Sequence, residues 1–472
     1  MRYLIYSYCF ETPHFETELE IALKLKNEGH EVFFLVCKSD LKTCFVNPKH
    51  SKAICAVCRS KISNGLGVLG LPEENILRFT EVSIQPDIYK HALTSFEALS
   101  AYVYKDNDIG LAVVSSLVSD TRDHYFNVEN YQDEIKVALE TSIMVYENFD
   151  RILKTLRPDG VVMFNGRFLE SRPAIKLCEK LKIDYFTHER GGQLDRYMFR
   201  ENSNPHTLSY AKKEVVDMWK NGPDDKVEVG KKFYEERRNR IVHNWHVYTG
   251  AQVNGQLPSN FDATKRNFGI FNSSIDEYVT IPDFKSKLYA DDNDGIAKVC
   301  ESFLQYPEFH FYLRIHPNLK GLTTTQTIQI AEMGKKYKNL TIIPAEDKID
   351  SYALMQAVEA VISFGSTTGV EALYWGVPSI LLGRAYYEGI EGIVIPESHE
   401  EAVKVIISKK TIAPKFPSIK FGYWSLMYGT KFEYFKPDGL FKGTFLGKEV
   451  KPNLLSRIWR KIFVTFQTLK QT

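Results

Sequence analysis

The chain has 472 residues, and its 60 basic and 59 acidic side chains leave a formal net charge of +1. This length exceeds what a single hydrophobic core usually supports, so we expect two domains. The balanced charge excludes a nucleic-acid binder that depends on bulk electrostatic attraction. No apolar run reaches the length of a membrane span, the first residues lack a signal-peptide pattern, and the seven cysteines are odd in number. We therefore expect a cytoplasmic protein in a reducing compartment.

The first residues predict the β-α-β unit that opens a doubly wound domain. Residues 2–8 and 31–37 are aromatic and aliphatic runs of strand length, and residues 15–29 have the apolar spacing of a helix that ends at a glycine. Two parallel strands joined by a helix are the building block of α/β sheets. The N-terminal half is therefore predicted to be Rossmann-like.

A group of cysteines follows this unit. Cys44, Cys55 and Cys58 include a C-x2-C spacing, and Cys37 or His50 would complete four ligands. In a cytosolic chain this pattern suits a structural zinc site. The spacing is irregular and a second C-x2-C is absent, so a reduced loop that binds no metal is an equal alternative.

Polar residues follow two further predicted strands of the N-terminal half. Strand 160–164 precedes the sequence NGR at 165–167, and strand 182–187 precedes HERGG at 188–192. Ligands of open α/β sheets bind beyond the carboxyl ends of the strands. These two strand ends are therefore the candidate binding positions of the first domain.

The domain boundary is predicted from composition. Residues 210–250 are highly charged and have helical character, which is typical of a solvated helix pair. The segment 254–265 is rich in Gly, Pro, Ser and Asn and is the predicted linker. The predicted domains are residues 1–253 and 254–410, with a C-terminal segment at 411–472.

In the second half, strand 309–314 ends on Arg314, His316 and Pro317. Proline has no N–H and restricts the residue before it, so the chain must turn there. An arginine and a histidine at a strand end are suitably placed for a diphosphate or a nucleotide. A histidine that only caps the strand end is the alternative.

The most informative stretch runs from residue 350 to 383. A buried strand is followed by a turn of Gly, Ser and Thr residues that opens a helix, and an apolar run at 377–382 predicts the next strand. Such a turn leaves backbone N–H groups and hydroxyls where the helix dipole is positive, which suits a phosphate group. A simple helix cap by Ser366 or Thr367 is the alternative. The ligand-loop interpretation includes Gly365, Ser366, Thr367 and Thr368.

The stretches RIHPN at 314–318 and SFGSTTGVEALYWGVPSILL at 363–382 resemble the C-terminal half of GT-B glycosyltransferases. More narrowly, residues 266–392 are similar to bacterial capsule and O-antigen synthesis enzymes, which include CMP-Kdo and CMP-sialic acid transferases. The resemblance implies an α/β fold of the GT-B kind, with two Rossmann-like domains that face each other across a cleft. It also implies sugar transfer that requires no bound metal and no cofactor besides the nucleotide-sugar donor.

The resemblance also implies which residues hold the donor. The HP pair, His316 and Pro317, and the hydroxyls of residues 366–368 would hold the nucleotide and its phosphate. Glu371, in the following helix, would meet the ribose. Further donor contacts would come from loops beyond other strands of this domain, at Ser273, Ser274 and Glu388. Ser274 could instead cap a helix, with Glu277 completing a capping box.

Sugar transfer needs a carboxylate or an imidazole to take the proton of the acceptor hydroxyl. Glu189, in a glycine-flanked turn at a strand end, is the first candidate and His188 the second. Related capsule-type enzymes also carry an ERG-like turn here, which favours a site without fixing the role of either residue. An ion pair of Glu189 with Arg190 or Arg167 is the alternative. Asn165, Arg167 and Arg190 are candidate binding residues around this base. His14 follows the loop that faces the acceptor in GT-B enzymes, although a plain surface histidine would explain it as well.

The tail NLLSRIWRKIFVTFQTLKQT at 453–472 has apolar residues on one helical face and basic residues around it. This predicts a C-terminal amphipathic helix. It would pack back on the first domain, as in GT-B enzymes, or bind an anionic membrane surface where a lipid-linked acceptor lies.

The predicted function is sugar transfer from an activated nucleotide donor to a surface polysaccharide or a lipid-linked glycan. CMP-linked donors are the first expectation, and UDP- and GDP-sugars stay open. A polyol-phosphate transferase of the CDP-glycerol type, a nucleotide-sugar 2-epimerase and a non-catalytic carbohydrate-binding subunit of capsule assembly are the alternatives.

Overall fold

The structure is a computed structural model that describes residues 1–241, 250–408 and 415–454. It divides into two compact units. Unit 1 contains residues 1–121, 125–205 and, within the described ranges, the return segment 429–454. Unit 2 contains residues 122–124 and 206–428. The predicted α/β class with two Rossmann-like units is confirmed.

Unit 1 is built on a largely parallel sheet with the strand order β13-β6-β5-β4-β1-β2-β3. Only β6 and β13 run antiparallel to their neighbours among the described strands of this sheet. Its strands and helices are β1 (Arg2–Ser7), α1 (His14–Asn27), β2 (Glu31–Val36), α2 (Lys52–Leu69), β3 (Ile76–Arg78), α3 (Phe96–Ser100), α4 (Ile109–Thr121), α5 (Gln132–Leu156), β4 (Gly160–Phe164), α6 (Arg172–Leu181), β5 (Asp184–Arg190), β6 (Arg196–Glu201), β13 (Thr430–Lys431), β14 (Phe435–Pro437) and β15 (Gly443–Phe445).

The core of unit 1 follows from the alternation of side chains along β1. Leu4 and Tyr6 are fully buried against the layer formed by α4 and α5, and Ile5 is fully buried against α1 and α2 on the opposite face. The parallel strands β3, β2, β1, β4 and β5 lie in the doubly wound order in which the winding direction reverses between β1 and β4. We call the space beyond the carboxyl ends of these two strands the unit 1 switch point.

A buried carboxylate on α1 is one of the contacts that attach the return segment to unit 1. Glu20 accepts the backbone N–H groups of Glu433, Tyr434 and Phe435 at 2.7, 2.8 and 2.9 Å, and Lys24 lies 3.1 Å away. Three unpaired backbone donors would be costly in a buried position. Glu20 therefore fixes where the C-terminal part of the described chain joins the sheet.

Unit 2 is built on a sheet whose described strands are all parallel, in the order β12-β11-β10-β7-β8-β9. The order reverses between β7 and β10, and the space beyond these two strands is the unit 2 switch point. Its helices and strands are α7 (Leu208–Asn221), α8 (Lys226–Arg238), β7 (Arg266–Phe271), α9 (Asp292–Ser302), β8 (Phe309–Arg314), α10 (Thr325–Lys336), β9 (Leu340–Ile343), α11 (Ser351–Ala357), β10 (Ala360–Ser363), α12 (Thr368–Tyr374), β11 (Ser379–Leu381), β12 (Ile393–Val394), α13 (His399–Ile407) and α14 (Phe416–Met427).

The observed division differs from the predicted boundary at residue 253. The charged helices α7 and α8 pack on α14 and on the 385–387 loop, so they belong to unit 2. The predicted linker 254–265 also lies in unit 2, where Gly255 N–H donates to Asp350 Oδ2 at 2.9 Å. Composition identified exposed, polar backbone there, but such backbone also suits a surface loop within one unit.

One further segment differs from its prediction, and another falls outside the described residues. Residues 52–69, expected as a cysteine loop, form helix α2. None of the helices in the described ranges could span a lipid bilayer. The predicted amphipathic helix and its membrane contact fall on residues 455–472, outside the described ranges.

Candidate functional site

At the unit 2 switch point, the loop after β7 joins the loops after β8 and β10. Ser273 Oγ donates to the carbonyl of Phe364 at 2.7 Å, just beyond β10. On the other side, the backbone N–H of His316 donates to Asn272 Oδ1 at 2.9 Å. The HP element and the Ser/Thr turn (residues 363–369) are thus connected through two adjacent residues at the end of the central strand.

The loop after β7 is itself held by buried polar side chains that the sequence did not reveal. Gln326 of α10 accepts the N–H of Ile275 at 3.1 Å and donates to the carbonyl of Ser273 at 2.9 Å. Asp292 accepts the N–H of Ser273 at 3.1 Å and the hydroxyl of Tyr278 at 2.6 Å. Burial raises the pKa of Asp292 to about 7, against the effect of these two hydrogen bonds. The loop is therefore preorganised before any ligand is present.

His316 presents a neutral imidazole at this place. Burial and the neighbouring Arg122 guanidinium lower its pKa to about 4, although Asp276 acts in the opposite direction. Its Nδ1 accepts the N–H of Asn318 at 3.3 Å, so Nε2 carries the ring proton. A neutral ring with a fixed Nε2–H is a hydrogen-bond donor. Pro317 begins the short 3-10 turn 317–319 that keeps the ring at the strand end.

The Ser/Thr turn has the glycine geometry of a close backbone approach. Gly365 has φ +94°, and a Cβ there would lie 2.8 Å from the carbonyl oxygen of Arg384 and 3.0 Å from Ser273 Oγ. Ser366 Oγ lies 3.0 Å from Thr368 Oγ1 and accepts the N–H of Thr368 at 3.4 Å. No side-chain cap of α12 by Thr367 is formed. Of the two capping alternatives, Thr367 forms no cap, whereas Ser366 accepts the N–H of the first residue of α12.

Glu371, predicted to meet a ribose, is occupied within the protein. Its Oε1 accepts from Arg237 Nε at 3.2 Å and from Thr367 Oγ1 at 3.3 Å, and its Oε2 accepts the hydroxyl of Tyr352. Arg237 also donates to Thr367 Oγ1 at 3.2 Å. The buried carboxylate thus orients a guanidinium beside the turn. Arg237 comes from the charged helix α8, so no local pattern could identify it as a site residue.

Arg314 and Ser274 do not reach the switch-point surface, which corrects their predicted contacts with the donor. Arg314 is buried and donates to the carbonyls of Pro344 and Asp347 at 2.6 and 3.0 Å, so it holds the loop after β9. Ser274 is fully buried, and its hydroxyl donates to Asp276. It makes no side-chain cap, so the alternative capping box is absent as well.

Glu388 lies in the loop beyond β11 and supports that loop. Its carboxylate accepts from Arg384 Nε, from the N–H of Ala385 at 3.0 Å and from Lys212 Nζ at 3.1 Å. Burial raises its pKa, but the hydrogen bonds from Arg384 and Lys212 outweigh burial and hold the pKa below its usual range. With both oxygens engaged, Glu388 positions Arg384, whose carbonyl approaches Gly365.

The unit 1 switch point contains Glu189, in the strand β5 next to β4. Its Oε2 accepts from Asn165 Nδ2 at 3.0 Å, and its Oε1 accepts the N–H of Arg190 at 2.9 Å. The imidazole Nδ1 of His14 lies 3.7 Å from Oε1, and the Glu189 side chain is 17% exposed. Residues 188–190, expected as a turn, pair with β6 as the last residues of β5. This pairing fixes the direction of the carboxylate.

His188 is fully buried, which corrects its prediction as the alternative base. It points to the opposite side of β5 from Glu189 and faces Glu18 of α1, with His188 Nε2 3.4 Å from Glu18 Oε1. Burial lowers the pKa of His188 well below, and raises that of Glu18 well above, their usual values. The pair is therefore neutral and has no access to an acceptor.

The two predicted arginines of unit 1 connect the site to other segments. Arg190 donates to the carbonyls of Leu440 and Thr12 at 2.9 and 3.0 Å, and its guanidinium lies 5.2 Å from the centroid of the Phe441 ring. Arg167 donates to Ser119 Oγ at 3.3 Å. The contact that is observed between Arg190 and the Glu189 carboxylate comes from the backbone N–H of Arg190, at 2.9 Å.

The cysteines line one cavity of unit 1 but do not form the predicted zinc site. Cys37, Cys44, Cys55, Cys58 and His50 all border this cavity, and the cysteines are free thiols. Within the described ranges, no group of three or more His, Cys, Asp or Glu residues has the arrangement of a metal site. Burial raises the pKa of Cys37, Cys44 and Cys58, so these thiols are protonated at neutral pH.

Part of unit 2 is similar to a known protein family. Residues 282–405 match the family described as capsule polysaccharide biosynthesis protein. The match covers about a quarter of the chain and shows what this part of it is similar to. The match contains both RIHPN and the Ser/Thr turn, so the predicted resemblance is confirmed there. A search of curated protein sequences found no match.

Among solved structures, the chain is similar to two KpsC enzymes of Thermosulfurimonas dismutans. The β-Kdo 2,7-transferase is 12% identical, with 59% of this chain and 80% of that chain covered, at a TM-score of 0.35. The β-Kdo 2,4-transferase is 12% identical, with 64% of this chain and 86% of that chain covered, at a TM-score of 0.36. The UDP-GlcNAc 2-epimerase of Methanocaldococcus jannaschii is 13% identical, with 90% of this chain and 98% of that chain covered, at a TM-score of 0.28. Because these TM-scores are low, the assignment above rests on the family match.

Proposed function

We propose that this protein is a metal-independent glycosyltransferase of the GT-B kind. It would move a sugar from a nucleotide donor, CMP-linked in the first instance, to a hydroxyl of a surface polysaccharide or a lipid-linked glycan. The observation that carries the proposal is the joining of the HP element and the Ser/Thr turn at the unit 2 switch point, through Ser273 and Asn272. Open α/β sheets bind nucleotides at this place.

The donor side of the reaction belongs to unit 2. Gly365 lets the backbone approach closely, while the hydroxyls of Ser366 and Thr368 and the Nε2–H of His316 supply neutral donors. Positive charge comes from Arg237 beside Thr367 and from Arg122, which acts electrostatically on His316. Fixed donors of this kind stabilise the negative charge that develops on a departing phosphate.

The acceptor side belongs to unit 1. Glu189 is held by Asn165 and by the N–H of Arg190, and it is partly exposed. A carboxylate in this position favours removal of a proton from a hydroxyl that attacks the anomeric carbon. The acceptor must then bind at the switch point of unit 1, near the loops that follow β1 and β4.

The test combines binding with turnover. Calorimetric titration of the purified chain with CMP, UDP and GDP should show binding of at least one nucleotide, weakened about tenfold or more in Thr367→Val. Nucleotide release from a panel of CMP-, UDP- and GDP-sugars should depend on an added glycan acceptor. Sugar isomerisation without an acceptor would indicate an epimerase, and transfer of a phosphate with release of CMP would indicate a polyol-phosphate transferase. Absence of any nucleotide binding would contradict the proposal and favour a carbohydrate-binding subunit.

A further inference from the structure

His14 occupies an unusual position at the unit 1 switch point. It is the first residue of α1, only 7% exposed, and its ring centroid lies 4.1 Å from that of Phe164 at the end of β4. Its Nδ1 is buried and makes no hydrogen bond. Buried ring nitrogens are normally paired, so an unpaired one in a candidate site calls for a functional explanation.

The nearest charged atom to this nitrogen explains its orientation. His14 Nδ1 lies 3.7 Å from Glu189 Oε1. This is longer than a hydrogen bond, but catalytic hydrogen bonds are often long before substrate binds. Glu189 is fixed by Asn165 and by its own neighbour's N–H, so it is the imidazole that must move by less than about 1 Å to complete the contact.

We infer that His14, oriented by Glu189, is the group that takes the proton from the acceptor hydroxyl. This inference rests on the proposed function and refines it: Glu189 becomes the positioning residue and His14 the catalytic residue. A carboxylate that faces Nδ1 selects the tautomer with the proton on Nδ1, which leaves the lone pair on Nε2. Nδ1 is the buried nitrogen that faces the carboxylate, so Nε2 is the nitrogen inferred to take the proton.

The chemical step balances with these groups. The acceptor oxygen forms a bond to the anomeric carbon of the donor sugar. The bond from that carbon to the donor phosphate oxygen breaks, and its electron pair leaves with the nucleotide. The acceptor proton moves to His14 Nε2, and the imidazolium that forms is stabilised by Glu189 through Nδ1–H.

The surroundings keep the ring neutral before the acceptor binds. Burial, together with the nearby cations Arg190 and Lys61, lowers the pKa of His14 well below its usual value, so the ring is neutral at neutral pH. Lys61 is held by Glu16 at 2.8 Å and by Thr12 Oγ1 at 2.7 Å. His188, whose ring centroid lies 6.4 Å away, is neutral as well.

The first experiment reads the tautomer and does not depend on activity. Nitrogen NMR of the full chain labelled at histidine, with the signal assigned by its loss in His14→Gln, should show the proton on Nδ1 at neutral pH. Glu189→Gln should shift His14 toward the other tautomer. A proton on Nε2 in the wild-type protein would overturn the inference, whatever reaction the protein performs.

The second experiment measures acceptor-dependent nucleotide release. His14→Gln should lower the rate by about 10²–10⁴-fold, and the double variant with Glu189→Gln should lose little more than His14→Gln alone, because the two residues act as a unit. Added imidazole should partly rescue His14→Ala. The matched control is His30→Gln, at the amino end of β2, which should retain full activity.

The outcomes separate the two proposals. A wild-type protein without sugar transfer would contradict the proposed function, and the tautomer measurement would still decide the pairing of His14 with Glu189. An active wild-type protein whose folded His14→Gln variant stays within about threefold of normal would leave the function intact and refute the role of His14.

Discussion

In unit 1 the switch point between β1 and β4 gathers a carboxylate, an imidazole and a guanidinium, those of Glu189, His14 and Arg190. In unit 2 the equivalent place between β7 and β10 gathers hydroxyls, a side-chain amide and a neutral imidazole. The two sheets have the same doubly wound order. The strand order therefore decides where a ligand binds, and the loops decide which chemistry it meets.

The loops are also held in different ways. In unit 2, buried amide and carboxyl side chains of Gln326 and Asp292 clamp the loop after β7 from within the same unit. In unit 1, Arg190 reaches the return segment through the carbonyl of Leu440, and Glu20 fixes that segment. Unit 1 thus depends on residues more than 200 positions away in sequence for the surroundings of its carboxylate.

The largest effect should separate the roles of the two units. Glu189→Gln should lower acceptor-dependent nucleotide release by about 10²–10⁴-fold, because the uncharged amide no longer favours proton removal. Nucleotide affinity measured by calorimetry should be unchanged. The exposed Glu201→Gln, on β6 of the same sheet, is the matched control. If Glu189→Gln also lost nucleotide affinity, the carboxylate would contact the donor, and the proposed separation of acceptor and donor roles between the two units would be wrong.

The next effect tests the dependence of unit 1 on the return segment. Glu20→Ala should lower the free energy of unfolding by about 3–5 kcal/mol, because three backbone N–H groups and Lys24 lose a buried carboxylate partner. Denaturant unfolding followed by fluorescence measures this. Glu28→Ala, just past the end of α1 and exposed, should change stability by less than about 0.5 kcal/mol. Equal stability of the two variants would show that the Glu20 contacts do not hold the segment.

A smaller effect is expected at the backbone of the unit 2 turn. Gly365→Ala should cost about 1–3 kcal/mol of stability and weaken nucleotide binding, because φ is +94° and the new Cβ meets two oxygen atoms. Gly389→Ala is the matched control: φ is +86°, but no atom lies within 4 Å of its Cβ. The difference in the free energy of unfolding between Gly365→Ala and Gly389→Ala measures the cost of the contacts of the new Cβ, without the cost of the positive φ. If both variants lost the same stability, the turn at Gly365 would accommodate a Cβ without strain, and the prediction would be wrong.

The last expected effect is a pH dependence of unit 2, which is small for each tenth of a pH unit. The pKa of Asp292 is about 7 in the folded protein, above its ordinary value, so between about pH 4 and 7 the folded state binds the proton more tightly than the unfolded state. Stability should therefore fall as pH rises through this window, by at most about 1.4 kcal/mol per pH unit. Urea unfolding should show a flatter profile for Asp292→Asn. An unchanged slope in the variant would assign the pH dependence to other groups.

The sequence by itself predicted the class of the fold and the positions of the candidate sites. Apolar runs bounded by turns gave both Rossmann-like units, and RIHPN with the Ser/Thr turn predicted the capsule-synthesis type that the family match confirms for residues 282–405. Local spacing is enough for this, because strand ends and glycine turns are encoded by neighbouring residues. The predicted role of Glu189 stays a prediction.

Only the tertiary structure decided which of the polar residues near the strand ends are exposed and which are buried or already paired within the protein. Arg314, Ser274 and Glu371 are polar residues near strand ends, but each already has a partner within the protein. Arg314 donates to backbone carbonyls, Ser274 donates to Asp276, and Glu371 accepts from Arg237. His188 and Glu189 are adjacent in sequence, yet strand alternation buries one and exposes the other. The partners that made these differences come from distant segments of the chain, and the pairing of distant segments leaves no pattern in the local sequence.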